Sequence, residues 1–177
     1  GWLWDTENGP DVYDEINLVK EKFNSGWDHI QGPRFDQEIP STDNYTYSDP
    51  EFSWKKPTGV TAIHFIESKK FPEYHDSVLV GSFHEGLIYK FQLNDTREGF
   101  SFKSDDLKDL VLDDDDSFKE IFFASGFSGV TDIKEGPDGL IYIVSIGDGI
   151  IYQIDRNQDI LFSEEDCNDF SNVEEFF

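Results

Sequence analysis

The chain has 177 residues, and its 14 Lys and Arg against 38 Asp and Glu give a formal net charge of −24. Such a surface makes nucleic acid and anionic membranes poor partners. The single cysteine, Cys167, excludes an internal disulfide framework, and no apolar run approaches the roughly 18 residues that a membrane-spanning helix needs.

The chain opens with a predicted pair of strands. Residues 2–7 and 14–20 flank a turn that contains Gly9 and Pro10. A polar segment with three prolines follows at residues 31–50. This segment is longer than a structural connection requires, so we interpret it as a candidate functional loop.

A strand unit that begins at Gly59 recurs near the end of the chain. The sequence GVTAI at 59–63 matches GVTDI at 129–133, and residues 78–91 match residues 141–154. In the later copy the turns GPDG and GDG separate three strands, because proline presets φ and glycine accepts a positive φ. Each copy is therefore predicted to be a small antiparallel meander.

The segment between these two copies is acidic. Residues 104–119 contain seven aspartates. A calcium loop is one interpretation, but the glycine and the spaced ligands of an EF-hand are missing. A solvated acidic loop is favoured, with a return to strand at residues 121–124.

Repeats made only of strands predict an all-β fold of β-propeller blades, small sheets that must stack on neighbours to bury both faces. A solenoid is the alternative, which the uneven spacing of the copies disfavours. We predict that residues 1–154 form a partial propeller of about three blades, with an acidic tail at 155–177 and a short helix near 163–170. Three blades without an initial methionine suggest the C-terminal part of a longer protein, and a processed complete domain is the alternative.

Three motifs at the start of the chain carry a family resemblance. They are TENGP at 6–10, DEIN at 14–17 and NSGW at 24–27. In this order and spacing they resemble the glucose/sorbosone dehydrogenase family, soluble sugar dehydrogenases that use pyrroloquinoline quinone (PQQ) on a six-bladed β-propeller. The resemblance extends over about residues 2–154 and implies about half of such a propeller.

The resemblance implies two calcium sites. The backbone carbonyls of Gly9 and Pro10 correspond to those that hold calcium beneath the quinone, where the cation polarises the quinone carbonyls. Glu15 corresponds to a carboxylate of a second, structural calcium site, beside the Ser25 carbonyl. For Glu15, an ordinary surface position on a strand is the alternative.

The resemblance also implies residues at the cofactor. Trp54 corresponds to an aromatic residue that packs there, and Thr58 lies near a polar contact. His84 stands in place of a lysine that the family uses. For Trp54, an ordinary core tryptophan is the alternative.

Two features count against catalysis by these residues. The family carries an Arg-x-Arg pair that binds the carboxylates of the cofactor, and here residues 129–131 read Gly-Val-Thr. The histidine that acts as general base in the family is expected in an N-terminal part outside this sequence. No catalytic residue is therefore assigned within the chain.

The resemblance implies PQQ-dependent oxidation of an aldose, with calcium as second cofactor, a sugar as substrate and a separate electron acceptor. One alternative is a non-catalytic, calcium-stabilised binding propeller of the same descent. Another is a calcium-dependent hydrolase on a related propeller, which would need carboxylates and Asn converging on the central channel. An extracellular or periplasmic location is expected.

Overall fold

The computed structural model describes residues 2–35 and 44–155, which form strands and two single-turn 3-10 helices. The strands are β1 (Leu3–Glu7), β2 (Asp14–Val19), β3 (Phe23–Asn24), β4 (Thr46–Tyr47), β5 (Phe52–Trp54), β6 (Val60–Phe65), β7 (Ser77–Ser82), β8 (Ile88–Gln92), β9 (Val111–Leu112), β10 (Phe122–Ala124), β11 (Val130–Glu135), β12 (Ile141–Ser145) and β13 (Ile150–Ile154). The 3-10 helices span Pro72–Tyr74 and Asp105–Leu107. The all-β prediction is confirmed, and no helix among the described residues is long and apolar enough to cross a membrane.

The predicted acidic tail beyond residue 155, with its short helix, lies outside the described residues, as do residues 36–43 of the proline-containing segment. The chain divides into two compact units. The first unit comprises Gly1–Val60 and Phe91–Ile121, and the second comprises Thr61–Lys90 and Phe122–Phe177. Each is described below by itself.

The first unit contains a four-stranded sheet in the order β1-β2-β5-β9. Strands β1, β2 and β5 pair antiparallel, whereas β9 pairs parallel with β5 and aligns Val111 with Ser53. Strand β9 lies in the segment 104–119, for which we predicted a solvated acidic loop, so the prediction is wrong for these two residues. Val111 is 7% exposed, so its apolar side chain is withdrawn from water although aspartates flank it on both sides.

Aromatic side chains fill the core of the first unit. The Trp54 ring centroid lies 5.0 Å from that of Phe52 and 5.6 Å from that of Phe91, both nearly edge-to-face. This geometry suits the ring quadrupoles, and each large ring removes 150–250 Å² from water as an order of magnitude. The short strand β5 is therefore held by the aromatic contacts of its side chains in addition to its pairing with β2 and β9.

The second unit contains a sheet in the order β10-β8-β7-β6 and a three-stranded meander, β11-β12-β13. The meander confirms the strands predicted for residues 129–154, although β11 starts one residue later and continues to Glu135. In its first turn Gly139 has φ +78° and its N–H donates to the Gly136 carbonyl at 2.9 Å. The sequence pattern and the backbone thus agree on where the strands reverse.

Strands β6, β7 and β11 approach closely in the second unit. A Cβ built on Gly81 would lie 2.5 Å from Val130 Cγ1, so only glycine fits there without movement of Val130. The Thr61 hydroxyl donates to the Val130 carbonyl at 2.5 Å. The apolar core around this point also contains Ala62, Leu79, Ile88, Ile133, Ile141 and Ile143.

Candidate functional site

One face of the β1–β2 ribbon in the first unit is acidic. The register places Glu7 opposite Glu15 and Asp5 opposite Asn17. Side chains two residues apart on a strand share a face, so these four side chains point to the same side. Like charges directly opposite each other destabilise a sheet, so the pairing of Glu7 with Glu15 is electrostatically unfavourable when both are ionised.

Glu15 is the most deeply buried carboxylate on this face, with 2% of its surface exposed. Its Oε1 accepts a hydrogen bond from Gly32 N at 2.6 Å, and its Oε2 accepts from Asn17 Nδ2 at 3.4 Å. Burial raises the pKa of Glu15 to about 7, and the nearby Glu7 carboxylate adds to the rise although the Gly32 hydrogen bond opposes it. Loss of water, more than repulsion, makes its charge costly.

A second buried oxygen faces the same cluster without a hydrogen bond. Asn17 is fully buried, and its Oδ1 has no hydrogen-bond partner within the described ranges. An unsatisfied buried amide oxygen beside carboxylates is the type of ligand that a hard cation takes. Ser25 also lies here, since its hydroxyl donates to Glu7 Oε2 at 2.9 Å. Among residues 2–35 and 44–155 no three acidic, histidine or cysteine side chains already converge at metal distance, so ion binding requires side-chain rotation.

The raised carboxylate pKa values predict how stability depends on pH. Burial also raises the pKa of Glu51 to about 6, from an ordinary value of 4.5. The folded state then binds protons more tightly than the unfolded chain at Glu15 and Glu51, so their contribution to stability is lost as the pH rises from about 5 to 7. Burial lowers the pKa of His64, which acts in the opposite direction in this range, so the test compares a variant with the wild type. Urea unfolding of resin-stripped wild type and Glu51→Gln at pH 5.5 and 7.5 should show the variant losing less stability between the two values. The same change in stability in both proteins would contradict the prediction.

Asp14, beside Glu15, fastens the loop that contains Gly9 and Pro10. Asp14 is fully buried, and its Oδ1 accepts a hydrogen bond from Gly9 N at 3.0 Å. Its Oδ2 accepts from Thr58 N at 2.8 Å, from Gly59 N at 2.6 Å and from Val60 N at 3.3 Å. One carboxylate therefore holds two chain segments that are more than forty positions apart in sequence.

The loop after Gly9 is folded tightly onto itself. A Cβ built on Gly9 would lie 2.0 Å from the Val12 carbonyl oxygen and 2.1 Å from that of Tyr13. Only glycine fits this position, and Pro10 beside it is exposed. The carbonyl oxygens that crowd Gly9 are those of Val12 and Tyr13, and calcium ligation by the carbonyls of Gly9 and Pro10 stays a prediction.

Two of the three residues predicted to lie at the cofactor, Trp54 and Thr58, are buried in the first unit. Trp54 is 2% exposed inside the aromatic core and pairs across the sheet with Asp14, and Thr58 is 1% exposed with its N–H on Asp14. Gly9, Trp54 and Thr58 are therefore all adjacent to Asp14. A role for Trp54 and Thr58 at a cofactor stays a prediction.

His84 belongs to the second unit. It is exposed on the connection between β7 and β8, with its ring edge-on to Phe83 at a centroid distance of 5.6 Å. Gly129, where the family pattern has the first arginine, has φ +86°. Thr131, at the position of the second, lies within β11 and its hydroxyl donates to the Val144 carbonyl at 3.4 Å.

Glu15 and Ser25 were predicted for this site, whereas Glu7, Asn17 and Gly32 were not. Asp14 and Asn17 belong to the same DEIN motif, and Glu7 belongs to TENGP. Alternation predicts that Asp5 shares a face with Glu7 and that Glu15 shares one with Asn17, but the pairing of Glu7 with Glu15 depends on the register, which the structure supplies. No sequence signal indicated Gly32, whose N–H reaches Glu15 across 17 positions.

Comparison with known proteins gives consistent results. Residues 1–153 match the family model for Glucose / Sorbosone dehydrogenase. The aldose sugar dehydrogenase YliI of Escherichia coli is 26% identical over 150 residues, covering 81% of this chain and 35% of the relative. The chain thus spans about a third of the length of that curated relative.

Two solved structures share the fold. The soluble aldose sugar dehydrogenase of Escherichia coli in its apo form has a TM-score of 0.53 and 24% identity, covering 80% of this chain and 37% of that one. The PQQ-bound aldose sugar dehydrogenase of Streptomyces coelicolor has a TM-score of 0.53 and 18% identity, covering 84% and 35%. The prediction of propeller-type blades is confirmed by this likeness.

Proposed function

Because this chain belongs to the glucose/sorbosone dehydrogenase family, we propose that it forms part of a calcium-stabilised β-propeller that binds a sugar. The observation that supports a calcium site is the buried Asn17 Oδ1, which has no hydrogen-bond partner among the described residues and belongs to the residue beside Glu15 on this face. Calcium takes six to eight oxygen ligands from carboxylates, amides and backbone carbonyls, in flexible geometry. The proposed ligands are the side chains of Glu7, Glu15 and Asn17 and the Ser25 carbonyl.

A second ion is proposed at the Gly9–Pro10 loop, through backbone carbonyls. The ligands are the carbonyls of Gly9 and Pro10 that the family resemblance implies, and support comes from the hydrogen bond between Gly9 N and Asp14, which holds this loop in place. A sugar is proposed as the ligand because the similar proteins of Escherichia coli and Streptomyces coelicolor are named aldose sugar dehydrogenases. An extracellular or periplasmic setting is proposed, as expected from the sequence.

Calcium is expected to raise the thermal stability of the protein at its full natural length. A ligand at a hundredfold excess over its dissociation constant adds about 2.7 kcal/mol, which corresponds to about 5 °C or more in Tm. Thermal unfolding in 1 mM CaCl2, 1 mM MgCl2 and EGTA measures it, with magnesium as the control because it demands a tighter octahedral site. Coincident transitions in calcium and EGTA would contradict the proposal.

A second candidate is PQQ-dependent oxidation of an aldose by the whole protein, with release of electrons to a separate acceptor. The names of the Escherichia coli and Streptomyces coelicolor relatives favour it, as does the retained Gly9–Pro10 loop. The residues at 129–131 do not fit the carboxylates of the quinone, because neither Gly129 nor Thr131 carries a cation. We therefore derive no reaction step through the quinone. Aldose-dependent dye reduction by the full-length protein with PQQ and calcium would support this candidate, and its absence favours the binding propeller.

A further inference from the structure

A phenylalanine ring occupies the space beside Gly129 in the second unit. A Cβ built on Gly129 would lie 3.2 Å from both Cδ2 and Cε2 of Phe83, closer than ordinary van der Waals contact. Gly129 also has φ +86°, which side chains of L residues rarely adopt. A side chain at position 129 would therefore need both a strained backbone and a displaced ring.

The Phe83 connection is fastened at its other end. A Cβ on Gly86 would lie 1.7 Å from the Phe127 carbonyl oxygen, and Phe127 N donates to the Gly86 carbonyl at 3.3 Å. Within the connection, Glu85 N donates to the Ser82 hydroxyl at 3.2 Å. These contacts fix where the connection that carries Phe83 lies.

The segment before Gly129 is fastened as well. Ser128 N donates to Ser145 Oγ at 2.8 Å and to Asp148 Oδ2 at 3.0 Å. Ile146 N donates to the Gly129 carbonyl at 3.0 Å. The backbone on both sides of this contact is thus held in place, and Phe83 is 44% exposed.

The chemistry of this surface disfavours an anion. His84 is the only basic side chain in the segments 83–87 and 126–131, and Glu85 lies beside it. The face of an aromatic ring carries negative partial charge and its preferred neighbours are C–H edges and cations. A carboxylate that bound here would lose its hydrating water without gaining a hydrogen bond from a guanidinium group, so its binding would be unfavourable.

We propose that the surface formed by Phe83 and Gly129 does not fit the carboxylates of PQQ. The Phe83 ring and the positive φ of Gly129 leave no room for an arginine at position 129, and no guanidinium from another residue of these segments takes its place. The inference rests on the proposed function, since it concerns the ligand of the same binding propeller.

The test measures binding of PQQ, which has three carboxylates, to the full-length protein with calcium by equilibrium dialysis. Wild type and Phe83→Leu should show no saturable binding below about 100 µM, and Phe83→Lys should bind at least about fivefold more tightly because it adds one cation beside the ring. Phe118→Lys is the matched control, since Phe118 is 40% exposed and lies in the first unit. The gain should decline in 0.5 M salt.

Two outcomes would overturn the inference. One is saturable micromolar binding of PQQ by the wild type, and the other is a Phe83→Lys variant that binds no better than Phe118→Lys. Thermal unfolding of the same samples with calcium and EGTA reports the proposed function separately. A gain in Phe83→Lys without calcium stabilisation would keep the inference and remove the calcium proposal.

Discussion

Replacement of Asp14 by alanine is expected to lower the free energy of unfolding by more than about 3 kcal/mol. The change leaves four buried or part-buried N–H groups, on Gly9, Thr58, Gly59 and Val60, without their acceptor. Each buried donor without a partner costs about 1–3 kcal/mol, and water that enters the cavity recovers part of it. Guanidinium unfolding of the calcium-free protein measures the difference without the contribution of a bound ion.

The isosteric Asp14→Asn variant tests whether the carboxylate itself is required. Oδ1 accepts from Gly9 N, and Oδ2 accepts from three other N–H groups. The amide of asparagine has only one oxygen, so its NH2 group must face the N–H donors at the other position. We expect it to recover less than half of the loss. Asp11→Asn, on the exposed part of the same loop, is the control and should lie within about 0.5 kcal/mol of the wild type. An Asp14→Asn variant as stable as the wild type would contradict this account.

Replacement of Trp54 by alanine is expected to cost about 3–5 kcal/mol, as for other large aromatic residues removed from a core. Trp54 is 2% exposed, and its ring meets Phe52 and Phe91 edge-to-face. Denaturant unfolding measures the cost. Trp54→Phe should retain more than half of the lost stability because it keeps the aromatic contacts.

Trp27→Ala is the matched control for Trp54→Ala. Trp27 is 51% exposed and also lies in the first unit, so its removal should change stability by less than about 0.5 kcal/mol. A loss below about 1 kcal/mol in Trp54→Ala would show that the core does not depend on this ring. In that case the role at a cofactor implied by the family resemblance would become the stronger explanation of the residue.

The meander near the end of the chain could be predicted because its signals are local. The glycines of GPDG and GDG fix the reversals, and the short β-branched run between the two turns favours a strand. Strand β9 could not be predicted in the same way. Its two residues, Val111 and Leu112, lie among aspartates, and their partner strand β5 is more than fifty positions earlier.

The candidate site could be predicted only where its residues are neighbours within one sequence motif. Glu15 followed from DEIN, whereas the role of Asp14 depends on three N–H groups at positions 58–60. Alternation predicts that Asp14 and Glu15 face opposite sides of β2, but not that both sides are buried. The contact of Phe83 with Gly129 joins positions that no local pattern connects.

Isothermal titration of calcium into resin-stripped, full-length protein tests the central claim most directly. We expect saturable binding in the wild type and an affinity at least about tenfold lower in Glu15→Gln, because a neutral amide replaces a carboxylate ligand. Glu21→Gln removes the same charge from an exposed position of the first unit and should titrate like the wild type. No heat beyond dilution in the wild type, or identical titrations of wild type and Glu15→Gln, would contradict the account.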